Sequence, residues 1–393
     1  MDALFSGLVV LLLLLFFLGA GVWVFAGLLL VSIGSLMLVL DFGPDRIGAI
    51  LSKILFRSAS SWELAAIPLF VWMGELIFRS DISERLFRGL QPLASRVPGG
   101  LLHVNVFGSA LFAAVSGSSA ATTATVGKIT TQELRKRGYD RDLSIGSLAG
   151  AGSLGLLIPP SIVMIIYGVL AEVSIVRLFA AGLLPGLLVA ALFSGYVAIR
   201  CAMRPALAPQ VRRAEDAVSF GQAALNLTPI LTLITLVLGS LYTGVATPSE
   251  AAAIGVVGAL AIVALTGQMS VALLRDSLMG AVRTSCMLCT ILTAAACLSA
   301  AIGYMHLPQD IANAIAALEL GPYGLLVALA VFYIALGLFL DGISITVMSL
   351  PITLPLVLSM GFDPIWFGVF LILLIEIGQI TPPVGFNLFV LNG

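Results

Sequence analysis

Gly155-Leu156-Leu157-Ile158-Pro159-Pro160-Ser161 has a counterpart far along the chain, Gly378-Gln379-Ile380-Thr381-Pro382-Pro383-Val384. Both stretches read Gly-x3-Pro-Pro inside apolar sequence, and 378 − 155 = 223. Two adjacent prolines remove two amide donors and break a helix. In lipid, the backbone groups so freed must find partners or line a protected cavity. Two such breaks therefore predict two halves, each built around a broken helix. Two further landmarks keep nearly the same spacing. Ser118, in the polar run 116–123, corresponds to Asp341, in the run 340–344, since 341 − 118 = 223. Gly100-Leu101-Leu102 returns as Gly324-Leu325-Leu326, where 324 − 100 = 224.

Composition makes lipid the solvent. Of 393 residues, 60% are hydrophobic and 10% charged, against about 25% charged in soluble domains. A net charge of -1 offers nothing to a nucleic acid. Cys286-x-x-Cys289 lies in an apolar run without a second ligand pair, which reads as packing. Asp2 precedes the first apolar run and no Lys or Arg does. A secretory signal wants a positive start, so the run reads as a retained span.

Residues 4–40 are too long an apolar run for one span, and Gly19-Ala20-Gly21 splits it in two. Residues 43–60, with Arg46, Lys53 and Arg57, read as an amphipathic interfacial helix, and 81–97 as another. A span at 61–79 lies between them. Residues 100–129 are apolar but interrupted by the Ser116–Thr123 run, and Lys128, Arg135, Lys136, Arg137 and Arg141 form a basic loop after it. Residues 142–172 are a span broken at Ile158-Pro159-Pro160. Spans follow at 176–199, 222–243, 247–266 and 284–305. A second hairpin runs over about 322–358, and a last broken span over 362–390.

Charge decides whether residues 100–129 cross the membrane. If they enter and leave on one side, segments 79–97, 128–141, 200–213 and 267–283 share the cytoplasm and hold 15 of the 19 Lys and Arg residues. If they cross, the basic segments 79–97 and 128–141 fall on opposite sides. The hairpin is favoured, with a periplasmic N-terminus. The first hairpin then enters from inside and the second from outside, so the halves are inverted. Inverted halves with corresponding broken segments point to a secondary transporter with its site near the midplane.

The predicted fold is therefore an all-α polytopic membrane protein with inverted repeats, two re-entrant hairpins and two broken helices. Residues 1–60 are N-terminal scaffold spans with an interfacial helix, 61–200 the first repeat, and 201–221 a cytoplasmic loop. Residues 222–283 are further scaffold spans, and 284–393 the second repeat.

Freed carbonyls and hydroxyls are hard oxygen ligands suited to Na⁺, and half-helix N-termini suit an anionic carboxylate. One cation site is expected from Ser116, Ser118 and Ser119 with the carbonyls of Gly155, Ile158 and Pro159. A second is expected from Asp341, Gly342 and Ser344 with Thr381 and Pro382. Substrate is expected between them, near Ser119, Thr122, Thr123, Pro160 and Pro383. The competing reading of the Ser116–Thr123 run is close helix packing. Among intramembrane acids, Thr247-Pro248-Ser249-Glu250 reads as a capped helix start. Glu75 reads as the partner of Arg79, and Glu376 as either structural or proton-linked. His103 reads as an interface residue.

The motifs resemble the large membrane subunit of tripartite ATP-independent periplasmic transporters, the DctM-like family. The matching residues are Ile67-Pro68-Leu69-Phe70 with Gly74-Glu75, the run Ser116–Thr122, both double-proline stretches, and Ala246-Thr247-Pro248-Ser249-Glu250-Ala251-Ala252-Ala253. The resemblance implies an elevator-type transporter with Na⁺ as coupling ion and no organic cofactor. It implies a small four-span membrane subunit and a periplasmic substrate-binding protein as partners, carboxylate substrates such as C4-dicarboxylates or sialic acid, and the bacterial inner membrane as location. It also implies one more membrane segment beyond Gly393. A stand-alone Na⁺/carboxylate symporter or Na⁺/H⁺ antiporter of the same superfamily is the alternative reading, to be separated by whether genes for the two partners lie nearby. A channel would need a continuous polar pore, and an enzyme a clustered catalytic set.

Overall fold

In the computed structural model of the chain, the structure describes residues 3–94, 96–209, 219–307, 321–338, 340–381 and 385–392. Among them no strand occurs. The first half opens with helices α1 (Ala3–Gly19), α2 (Val24–Leu40) and the amphipathic α3 (Pro44–Ala59). A short 3-10 turn leads to α4 (Ala66–Arg79), bent 49° from α3 across the break, and then to α5 (Ile82–Ala94). Hairpin 1 is α6 (Leu102–Ser116) with α7 (Ser119–Lys136), and the broken span is α8 (Arg141–Leu157) with α9 (Ile162–Leu170). A long connecting helix, α10 (Ile175–Met203), leads to the second half. That half contains α11 (Phe220–Tyr242), α12 (Pro248–Leu265), α13 (Val271–Tyr304), hairpin 2 as α14 (Pro322–Gly337) and α15 (Gly342–Ser359), then α16 (Pro364–Ile380) and α17 (Phe386–Asn392).

The repeat reaches the helix boundaries. Moving α7 by the offset of the double prolines gives α15 at both ends, Ser119 to Gly342 and Lys136 to Ser359, and α8 gives α16 likewise, Arg141 to Pro364 and Leu157 to Ile380. The starts are fixed by matched side-chain caps, because an Ncap oxygen satisfies an amide that the first turn leaves bare. Asp140 accepts from Leu143 N and its counterpart Asp363 from Trp366 N. Ser118 caps α7, and its counterpart Asp341 caps α15.

Packing crosses between the halves. Helix α2 packs on α13, while its counterpart α12 packs on α4. Helix α9 packs on α15, while α17 packs on α7, and α8 meets α16. Each element touching its counterpart's neighbour is what a two-fold relation between halves produces. The broken span is the centre: the Arg141–Leu170 window is 89% buried, against 33% for Ile175–Met203 and 28% for Phe220–Tyr242, which face outward. Six described helices are long and apolar enough to cross a membrane, or seven if the bent pair of α3 and α4 forms one span.

Two expectations need correction. The basic stretch after hairpin 1 is not a loop, because α7 continues through Lys128, Arg135 and Lys136. From Lys128 the sequence holds no glycine or proline before Gly138, and Arg137 Nε pairs with Glu133 at 2.7 Å, one turn apart. The boundary drawn at 283/284 falls inside α13, which runs 34 residues without interruption. At about 1.5 Å per residue such a helix outreaches a hydrocarbon core of about 30 Å. Its charged start, with Arg275, Asp276 and Arg283, extends the helix instead of interrupting it.

Candidate functional site

The tip of hairpin 1 sits on the first double-proline break. Gly117, at φ +61, ends α6 in the left-handed conformation that glycine adopts without strain. Its carbonyl accepts the Ile162 amide at 3.2 Å, joining the hairpin turn to the start of α9. Opposite, α8 presents Gly155. A Cβ there would lie 2.7 Å from the Ser118 carbonyl carbon and oxygen and from the Ser119 nitrogen, so backbone meets backbone and only glycine fits. Pro159 and Pro160 carry no N–H, so the carbonyls of Gly155 and Leu156 lose their helical donors. Two helix N-termini, those of α7 and α9, point into the same place, each capped by a serine, Ser118 and Ser161. Their partial positive charge favours an anion.

The hydroxyls of this run have distinct duties. Thr122 Oγ1 donates to the Ser118 carbonyl at 2.7 Å, which leaves Ser116 as donor to Thr122 at 3.0 Å. Both bonds brace the turn. Ser119 Oγ donates to Asn387 Oδ1 at 2.7 Å, and Asn387 Nδ2 donates to the Ala149 carbonyl at 3.4 Å. Thr123 is fully buried against Gly152 and its hydroxyl has no partner among the described residues. The structure thus brings Ser118 and Ser119 to Gly155, and Gly117, which follows Ser116, to Pro160. Thr122 is engaged inside its own turn.

Hairpin 2 is built differently. Asp341 Oδ2 accepts the Ile343 and Ser344 amides at 3.1 and 3.2 Å, and Oδ1 accepts the Ser344 hydroxyl. Gly342 then seats the tip: a Cβ there would lie 3.1 Å from both Ile375 Cγ2 and Leu156 Cδ1, and 3.2 Å from Gln379 Nε2. Further along, α14 crosses α16 where Gly337 meets Gly378, and a Cβ on Gly337 would lie 2.7 Å from the Gly378 Cα. Thr381 ends α16, its hydroxyl donating to the Ile377 carbonyl at 2.5 Å. Among the described residues no hydrogen bond joins Asp341 or Ser344 to Thr381. Pro382 and Pro383 lie outside the described residues.

The oxygens gathered at hairpin 1 are hydroxyls and proline-freed carbonyls, a donor set that suits a hard monovalent cation. Asn387 was absent from the sequence-based site. Its signal is its place four residues past Pro383, on the short helix that follows the second break. Three other residues have structural duties. Glu75 pairs with Arg79 at 2.8 Å. Thr247 and Glu250 form a reciprocal capping box. His103 is not an interface residue: it is fully buried, Nδ1 at 2.7 Å from Ser194 Oγ and Nε2 at 2.8 Å from the Pro98 carbonyl. Ser194, the first of those partners, lies on α10.

Residues 8–393 match the family model described as "Tripartite ATP-independent periplasmic transporter, DctM component". The C4-dicarboxylate TRAP transporter large permease protein DctM of Pseudomonas aeruginosa is 34% identical over 362 residues, covering 91% of this chain and 83% of that protein. The sialic acid TRAP transporter large permease protein SiaM of Vibrio cholerae is 31% identical over 341 residues, covering 84% and 77%. Among solved structures, the YdaH transporter of Alcanivorax borkumensis, reported for its unusual topology, superposes with a TM-score of 0.64 at 16% identity, over 91% of this chain and 82% of that one. That likeness concerns the fold alone.

Proposed function

The chain belongs to the DctM component family of the tripartite ATP-independent periplasmic transporters, and from that premise we propose that it is the large permease subunit of a sodium-driven, binding-protein-dependent importer of organic acids. The family's multi-pass helical architecture places it in the bacterial inner membrane. The N-terminus is periplasmic in this reading, from the distribution of Lys and Arg. A small four-span membrane subunit and a periplasmic binding protein complete the transporter. The substrate is a carboxylate of the kind that relatives are named for, a C4-dicarboxylate or a sialic acid.

One observation carries the reading: the Ser118–Ser119 backbone rests on Gly155 beside two proline-freed carbonyls. Ser116, Ser118 and Ser119 with the Gly155, Ile158 and Pro159 carbonyls would hold one Na⁺. Asp341, Gly342, Ser344, Thr381 and Pro382 would hold another. When bound, the ions supply positive charge beside the α7 and α9 N-termini, and the substrate carboxylate lies near Ser119, Thr123, Pro160 and Pro383. Thr122 contributes by bracing the turn. The halves then move substrate by an elevator displacement of both hairpins with their broken helices.

The test is uptake into proteoliposomes containing the chain and its partner subunits, with a panel of organic acids and an imposed Na⁺ gradient. Ser119→Ala and Asp341→Ala are each expected to lower Na⁺-dependent uptake by about tenfold, as loss of a hydrogen bond to a charged group does. The folded protein should be retained. Unchanged uptake in both variants would remove the site assignment.

A further inference from the structure

Glu376 and Gln379 belong to the second half alone: the equivalent positions of the first half hold Ser153 and Leu156. Both are buried, at 3% and 1% exposure, and the Oε1 atom of each has no hydrogen-bond partner. Three residues apart on α16, they are neighbours on one helix face. The Leu157 backbone, at the end of α8, approaches the Glu376 carboxyl. Gln379 lies against Gly342 at the tip of hairpin 2.

Burial without a charge partner disfavours a bare carboxylate at this pair, and the Leu157 backbone hydrogen bond is the one contact that favours it. Buried ionised groups neutralise or pair, and Glu376 has no ion-pair partner among the described residues. It lies near the C-terminal end of α16 and beside that of α8, where exposed carbonyls give partial negative charge. The helices packed against α16 bring no free cation to it. On α9, Tyr167 donates to the Pro364 carbonyl, and on α14, Tyr333 is bonded to Thr353 and Ser349. Asp341 is engaged in capping α15. Arg141 and Asp142 open α8, at the end away from Leu157, and Tyr323 opens α14. On α10, Arg177 lies in the first turn, and Tyr196, Arg200 and Cys201 in the last turns. None of these is hydrogen-bonded or ion-paired to Glu376. The contacts around Gly342, at 3.1 and 3.2 Å for an added Cβ, leave no space for a large ligand.

We propose that Glu376 and Gln379 together hold one small monovalent cation, a proton or a sodium ion, which neutralises the carboxyl group and serves both unbonded oxygens. As a proton it sits on Glu376, whose O–H donates to Gln379 Oε1. As a sodium ion it is ligated by both oxygens. The pair abuts the second set, with Gln379 two residues before Thr381 and against Gly342, but its oxygens belong to neither set named above, and its binding test does not depend on the sodium-driven reading.

The test counts sodium bound to the purified full-length chain by radiosodium equilibrium binding and takes the pH profile of its melting temperature, for the wild type, Glu376→Gln and Gln379→Leu. Loss of one bound sodium in Glu376→Gln supports the proposal and assigns sodium. An unchanged count, with the wild-type pH dependence abolished, supports it and assigns the proton. An unchanged count and an unchanged pH profile overturn it. Should Glu376→Gln fail to fold, Gln379→Leu, carrying the first half's own residue, is read instead. A sodium or proton midpoint moved by about tenfold or more supports the proposal, and a wild-type midpoint overturns it. Absence of sodium-driven uptake in the wild type would sink the transport reading while leaving this count as the judge of the site.

Discussion

The two hairpin tips occupy equivalent places and use different chemistry. Hairpin 1 meets its break through backbone, with Gly117 bonded to Ile162 and the Ser118–Ser119 peptide lying on Gly155. Hairpin 2 meets its helix through side chains, with Asp341 capping and Gly342 set against Gln379, Ile375 and Leu156. The duplicated architecture has kept the boundaries and capped starts of α7 and α8 in α15 and α16, while the interior contacts diverged. The frame diverged as well: the first half bends by 49° between α3 and α4, where the second runs uninterrupted as α13. Symmetry here is a property of the backbone path, and specificity is written into the departures from it.

Substitutions at paired positions can break that comparison. The largest effect is expected from Gly155→Ala, which drives a Cβ into the Ser118 peptide. Its cost in thermal unfolding should be about 3 kcal/mol, the upper part of the range for overpacking, with Na⁺-dependent uptake lost. Gly378→Ala crowds Gly337 similarly and should cost about as much in stability. Wild-type melting behaviour in Gly155→Ala would show that the tip does not rest on backbone.

Next is the bond between Ser119 and Asn387. A double-mutant cycle with Ser119→Ala and Asn387→Ala should return a coupling of about 1 kcal/mol in unfolding. Additive effects would remove the contact. The two caps separate charge from hydrogen bonding. Ser118→Ala should cost about 1 kcal/mol, whereas Asp341→Asn, which keeps a good cap, should stay within about 0.5 kcal/mol while shedding its charge. Equal losses would mean that the acid is needed for the fold itself.

The smallest effect concerns the frame. Helix α12 starts with the Thr247–Glu250 box, while its counterpart α2 starts at Trp23 without a side-chain cap. Thr247→Ala should cost at most about 1 kcal/mol. A larger loss in thermal unfolding would show that the box holds more than the start of α12.

What the sequence made legible follows rules of short range. Double prolines break helices wherever they fall, and Thr247 caps α12 because an oxygen there meets bare amides. The constant offset between the halves was readable for the same reason. The unbroken α13 was hidden because Arg275, Asp276 and Arg283 look like loop residues when spans are counted by apolarity. A helix carries such charges without strain once it leaves the hydrocarbon. Asn387 was hidden because its bond to Ser119 joins positions 268 residues apart and leaves no local pattern. The isolation of Glu376 and Gln379 depends on which neighbours the surrounding helices supply, which no spacing reveals.

The bond between Ser119 and Asn387 also dictates an order of assembly. Both the serine-rich turn and the double proline it rests on are synthesised before Ser161, yet the partner of Ser119 follows 268 residues after it. Because domains form progressively during synthesis and contacts of long sequence separation close late, the first site to be translated is the last to be finished.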